Sequence, residues 1–191
     1  MLSEQQVIDI FKTTGTFMEG HFRLTSGLHS NLYIEKFRLL ERPQYTSALC
    51  QDIATRFNSQ GVTVVVGPAM GGIIIAYEVA RALGVRAIFC EREDGRLTLR
   101  RGFHIEPSDR VLVVEDIVTT GGSVQEVLRV VEQSGATIVG VGLLVDRSGG
   151  EVTLGYPTEA LLTMTVPTYT PDNCPLCTQG LPIIKPGSRV S

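Results

Sequence analysis

The sequence predicts an α/β protein: a central, mostly parallel sheet flanked by helices. Three observations predict it. Four apolar runs of β character, Val62–Val66, Val85–Cys90, Val111–Val114 and Thr137–Val145, alternate with helical stretches, an order that implies parallel pairing and right-handed crossovers. Glycine-rich or polar segments 67–72, 115–123 and 146–150 follow three of these runs, so they gather at the carboxyl edge of the sheet, where such sheets bind ligands. The chain has 191 residues, 43% hydrophobic and 19% charged, enough for one domain with a real core.

The elements follow in order. Ser3 and Gln6 form a capping-box pattern, and Val7, Ile10 and Phe11 give the stripe of a first helix. Residues 21–36 read as a short hairpin turning at Thr25-Ser26-Gly27. Pro43 opens a helix carrying Leu49, Ile53 and Phe57 at helical spacing, and Gly61 closes it. After Val62–Val66 and its turn comes the helical IIIAYEVARAL, then Val85–Cys90. Residues 91–109 are polar and basic without clear periodicity; a loop of that length in a compact domain is usually functional or mobile. Beyond Val111–Val114 and its loop, Ser123 opens a helix with Val124, Val127, Leu128 and Val131 inward, which Gly135 stops. Residues 167–191, with five prolines, read as an irregular tail.

Charge and hydropathy narrow the function classes. A net charge of −3 gives no reason to expect a nucleic-acid or membrane surface, and the apolar runs are too short to span a bilayer. MLSEQQ lacks a signal-peptide pattern, so a cytoplasmic enzyme is expected. Cys50 and Cys90 fall in core elements. Cys174 and Cys177 form C-P-L-C, half of a zinc pattern, but no second C-x-x-C exists and His21, His29 and His104 are scattered. A reduced structural turn is expected there, with a metal shared between two chains as the alternative.

The richest chemistry lies in VLVVEDIVTTGGSV, residues 111–124. Thr119, Thr120, Gly121, Gly122 and Ser123 offer hydroxyls and open backbone N–H groups at a helix start, a phosphate cradle, whereas Glu115 and Asp116 repel phosphate. A ligand with a phosphate at one end and a vicinal diol nearby satisfies both. The segment lacks the P-loop lysine, and Gly140-Val141-Gly142 has Val145 at the third glycine of a dinucleotide fingerprint, so neither a Walker site nor the common NAD site fits.

This strand, acid pair and Thr/Gly loop resembles the ribose-phosphate signature of the type I phosphoribosyltransferases. FRLTSGLHSNLYIE (22–35), VGPAMGGI (66–73) and VDRSGG (145–150) are similar, in the same order, to blocks of the orotate phosphoribosyltransferase family. The resemblance implies a single domain over 1–191: a core at about 60–166, a small N-terminal hood at about 1–40, and a tail at about 167–191 as a further contributor to the hood. It implies transfer of a phosphoribosyl group from 5-phosphoribosyl diphosphate (PRPP) to orotate with Mg²⁺, in a homodimer whose mobile loop covers the partner's site.

Carried over by position, Glu115 and Asp116 hold the ribose hydroxyls, and Ile117, Val118, Thr119, Thr120, Gly121, Gly122 and Ser123 wrap the 5′-phosphate. Ala69, Met70 and Gly71, with Arg92, meet the diphosphate. Thr119, Arg147, Tyr33 and Ile34 meet orotate, Arg147 through the carboxylate. Two departures stand out. Many family members carry a lysine at the position of Gly71, and the mobile loop usually carries lysines and a histidine. Here residues 91–109 have no lysine and a displaced His104; Arg92, Arg96, Arg100 and Arg101 supply the charge. Arginine is a poor proton donor, so Arg100 and Arg101 are expected to stabilise the leaving group electrostatically. A phosphoribosyltransferase for another base, or a non-catalytic PRPP sensor, are the rival readings.

Overall fold

The computed structural model describes residues 1–186; the end of the predicted tail, 187–191, lies outside the described residues. Helix α1 (Glu4–Thr13) begins at the expected capping box, with Ser3 and Gln6 each accepting from the other's backbone N–H. Strands β1 (Phe17–Arg23) and β2 (His29–Ile34) pair as an antiparallel hairpin, so the first strand starts before residue 21. A single-turn helix, α2 (Phe37–Leu40), precedes α3 (Pro43–Phe57), which leads through a short 3₁₀ turn to Gly61 in the left-handed region.

The core then runs β3 (Val64–Pro68), α4 (Gly71–Leu83), β4 (Arg86–Glu93), β5 (Arg96–Leu99), β6 (Arg110–Val118), α5 (Gly122–Ser134), β7 (Thr137–Asp146) and β8 (Thr158–Thr163). The sheet order is β5-β4-β3-β6-β7-β8, parallel except for β5. Strand alternation divides the apolar residues between two layers. Val65, Leu112 and Val114 pack with α1, α3 and α4 on one face. Val64, Val66, Val111 and Val113 pack with α5 on the other. Burial on both faces explains why these strands read as nearly continuous apolar runs. Gly140 and Gly142 admit α3: a Cβ on either would come within 2.6 Å of Phe57 or Ile53.

Two regions differ from expectation. Residues 91–99 are ordered as a hairpin rather than an irregular loop. Asp94 and Gly95 both take positive φ (49° and 81°), the two-residue turn that Asp-Gly favours. The hairpin is anchored by buried Leu97 and by Phe89 against Phe103 at 5.0 Å. The second region is the tail. Strand β9 (Thr168–Tyr169) adds to β2, and Ile184 bonds on both sides of Phe22: Arg23 N–H donates to Ile184 O, and Ile184 N–H donates to His21 O, each at 2.8 Å. A short helix, α6 (Pro175–Thr178), lies between them. The hood is therefore a three-stranded sheet, β1-β2-β9, made from both ends of the chain.

Candidate active site

Strands β3 and β6 are neighbours, but the helices that follow them leave toward opposite faces, α4 to one and α5 to the other. Diverging connections open a crevice between the strands' carboxyl ends. The sequence-singled segments 67–72 and 115–123 both line up there.

Strand β6 continues through the acid pair, which the sequence reading put after the strand. Glu115, Ile117 and Val118 stay in register with Leu143, Val145 and Asp146 of β7. The chain then turns at Gly121, at φ +77°, where a Cβ would also come within 2.8 Å of Val152; glycine is required on both counts. Glu115 and residues 117–124 line an open cavity of about 130 Å³, the space of roughly four waters. Thr119, Thr120, Gly122 and Ser123 are exposed in it, at the N-terminus of a 13-residue helix. That is the shape and polarity of an anion cradle.

Both acids are buried, at 7% and 2% exposure, so their charges are held away from water. Burial raises both carboxyl groups above their ordinary range. Asp116's charge adds to this at Glu115, pushed up to about 8, while the Lys36 ammonium opposes it at Asp116. Asp116 N–H donates to Glu115 Oε1 at 3.0 Å. Lys36 Nζ donates to Asp116 Oδ1 at 3.0 Å and lies 2.8 Å from Oδ2. Burial acts to lower the Lys36 ammonium, but Asp116 holds it above the usual lysine value.

Lys36 is the functional candidate that sequence reading missed. Its only signal is its place at the end of the hairpin, which looks like any solvated lysine. Gly71 explains why the ammonium comes from the hood. A Cβ on Gly71 would lie 1.8 Å from Asp116 Oδ2, so the β3–α4 turn closes over the acid only with glycine there. Ala69, joined to Met70 by a cis peptide, donates its N–H to Cys90 O at 2.7 Å, tying this turn to β4.

Arg147 follows β7, its N–H donating to Val118 O at 2.8 Å, which joins the third loop to the second. Its Nε is buried without a hydrogen-bond partner among the described residues. Burial lowers its pKa below the usual arginine value, and Tyr33 is close enough to counter that. Tyr33 is half-buried with its ring 5.7 Å from Phe22, whereas Ile34 is part of the core at 5% exposure. Arg92, Arg100 and Arg101 are paired elsewhere. Arg92 forks onto Glu126 of α5 at 3.0 and 3.2 Å, Arg101 onto Glu91 at 2.8 and 3.1 Å, and Arg100 lies 3.3 Å from Glu93.

A second cluster lies in the hood, at the C-P-L-C turn. His21 and His29 converge on Cys174 and Cys177, the four ligand atoms lying within 4.8 Å of one another in one chain. The histidines look scattered in sequence because hairpin pairing and the returning tail bring them together.

The crevice, the acid pair and the anion cradle define a class that comparison with known proteins identifies. Residues 44–159 match the family model described as the phosphoribosyl transferase domain. The chain is 60% identical over 188 residues to the orotate phosphoribosyltransferase of Desulforamulus reducens, covering 98% of each. It is 58% identical to that of Pelotomaculum thermopropionicum, covering 98% of this chain and 99% of the relative. The crystal structure of orotate phosphoribosyltransferase from Aeropyrum pernix superposes with a TM-score of 0.69 at 26% identity, over 82% of this chain and 93% of that one. The chain belongs to the orotate phosphoribosyltransferase family, with the type I phosphoribosyltransferase fold.

Proposed function

We infer that the protein transfers the 5-phosphoribosyl group of PRPP to orotate, giving orotidine 5′-phosphate and pyrophosphate. The bond from C1 of the ribose to the diphosphate oxygen breaks, and one forms from C1 to the orotate ring nitrogen. The observation that carries the orotate reading is the buried Nε of Arg147, without a hydrogen-bond partner among the described residues, at a strand end beside Tyr33: a planar donor suited to a carboxylate.

Roles follow from position. Thr119–Ser123 and the α5 N-terminus suit the 5′-phosphate. Glu115 and Asp116 are acceptors for the ribose 2′- and 3′-hydroxyls, which add to the partners these groups already have in Asp116 N–H and Lys36. Lys36 fixes Asp116 and adds a positive charge on the hood side of the crevice. Ala69, Met70 and Gly71 present backbone to the diphosphate.

Glu115 and Asp116 also offer hard oxygen donors. Two carboxylates fit a Mg²⁺ that arrives on substrate phosphates, not an all-protein cage. When bound, that ion supplies neutralisation of diphosphate charge. Arg100 and Arg101 carry the remaining charge stabilisation, which requires exchanging their carboxylate partners in the hairpin for the diphosphate. An open crevice also invites hydrolysis of PRPP, so closure of the 91–105 segment excludes water.

A homodimer accompanies this reading. Met70, Ile74 and Tyr77 are 68%, 38% and 63% exposed and recur at helical spacing beside the crevice, an apolar stripe that suits a second copy. Orotate depletion followed by ultraviolet absorbance, dependent on PRPP and Mg²⁺, tests the function; consumption of a purine base instead overturns it. Mixed dimers, one chain with Arg100 and Arg101 replaced by alanine and the other carrying Asp116→Asn, test the shared lid. Recovery of one working site supports it, and no recovery places the lid over its own chain.

A further inference from the structure

We propose that His21, His29, Cys174 and Cys177 bind one Zn²⁺ within each chain, and that this ion fastens the C-terminal segment to the N-terminal hairpin to complete the hood. The site is separate from the phosphoribosyl chemistry and uses none of its residues.

Four of the six distances among the ligand atoms match a tetrahedron about one ion, and all six are within 4.8 Å. Zinc bonds of about 2.0–2.1 Å to nitrogen and 2.3 Å to sulfur imply edges of about 3.3 Å between two nitrogens and 3.6 Å between nitrogen and sulfur. His21 Nε2 lies 3.0 Å from His29 Nδ1. Cys174 Sγ and Cys177 Sγ each lie 3.7 Å from His21 Nε2, and Cys177 Sγ lies 3.3 Å from His29 Nδ1. Every one of these edges is within a few tenths of an ångström of the expected value.

The surroundings select the ligand form. His21 Nδ1 lies 2.9 Å from Leu181 O, an arrangement in which Nδ1–H donates to the carbonyl and the Nε2 lone pair points into the cluster. Such an outer hydrogen bond is the usual way a metal-binding imidazole is oriented. His21, His29 and Cys174 are buried at 3%, 6% and 2% exposure, while Cys177 is exposed and leaves a route for the ion. Binding releases two thiol protons; two thiolates then balance the dication, so the buried site is neutral. Two sulfurs and two imidazoles favour Zn²⁺ over Mg²⁺, which takes oxygen.

The placement gives the ion a purpose. The hood sheet has strands of seven, six and two residues, so the third adds only two paired positions to the hairpin. The cysteines are 153 and 156 residues from His21. Joining them closes almost the whole chain into a loop and fixes the β2 strand that ends at Tyr33 and Ile34, two residues before Lys36.

Metal analysis of the full-length chain, purified under reducing conditions without chelator from zinc-supplemented cells, is expected to find about one zinc per chain. Cobalt-loaded protein should show the visible bands of tetrahedral Co²⁺ and a thiolate charge-transfer band. Cys177→Ser, at an exposed position, should cut zinc content at least about fivefold and abolish the charge-transfer contribution of that thiolate. Chelation should lower the thermal midpoint of the wild type but not of the Cys174→Ser/Cys177→Ser variant. Zinc-free protein that also gives no cobalt spectrum overturns the proposal, as does a Cys174–Cys177 disulfide persisting in reductant, or full zinc retention by Cys177→Ser. Should a variant fail to fold, the wild-type cobalt spectrum decides. These readouts do not depend on orotate turnover, so failure of the transferase reading leaves them intact.

Discussion

The β6–α5 loop and the hood face each other across the crevice, yet they are built in contrasting ways. The loop is local: nine successive residues, 115–123, run from a buried strand through Gly121 into a helix, and their backbone sets the cradle. The hood is assembled from segments at opposite ends of the chain, held by β2–β9 pairing, the Ile184 hydrogen bonds and the His/Cys cluster. The loop inherits the rigidity of the core sheet. The hood shares the core of the α1 face through Ile34 and depends on long-range ties.

Four substitutions sharpen or break that contrast, from the largest expected effect to the smallest. Asp116→Asn removes the carboxylate charge that pairs with Lys36; kcat/KM should fall by roughly 10³-fold with the fold intact by circular dichroism. A loss under tenfold would show that the loop does not carry the ribose. Gly71→Ala puts a methyl where Asp116 Oδ2 now sits, and the resulting shift should cost about 10²-fold in kcat/KM and lower the thermal midpoint. Wild-type activity there would mean the turn is looser than a core-anchored loop allows.

Arg147→Lys keeps the charge but loses the planar fork. KM for orotate should rise about tenfold, with KM for PRPP unchanged. Equal rises in both would erase the separation between phosphate and base ends. Last, Glu115→Gln tests the buried acid through stability. The folded protein holds Glu115 up to about 8 against an ordinary 4.5, so ionising it costs stability progressively from pH 4.5 to 8 and fully above. The unliganded variant should match wild type near pH 4.5 and melt higher than wild type at pH 9 by calorimetry, the gap opening as pH rises from 4.5 to 8. No difference at pH 9 would mean that the carboxylate is well solvated.

The same contrast governs what the sequence discloses. The core strands, α1 with its cap, and α5 between Gly121 and Gly135 are legible because their signals are local: period, caps and turn residues. The anion loop is legible for that reason too. Residues 91–99 look irregular because polar side chains hide the alternation, although Asp94-Gly95 marks the hairpin. Strand β8 has too little β character to be seen without β7 beside it. Lys36 and the His/Cys cluster escape for a deeper reason. Their meaning depends on partners 80 to 156 residues away, supplied by sheet pairing that no local pattern encodes.

The order of synthesis adds one more consequence of the tail that returns to Phe22 and β2. A nascent chain emerging from its N-terminus makes the β1–β2 hairpin first, then the whole core, and last the segment carrying β9, Cys174, Cys177 and Ile184. Until that segment arrives, β2 has an unpaired edge and His21 lacks the Leu181 carbonyl. A chain lacking residues 168–184 would keep the β6–α5 loop and leave the edge of β2 unpaired. Residues 168–184 therefore close the edge of β2 only after the core strands have been made.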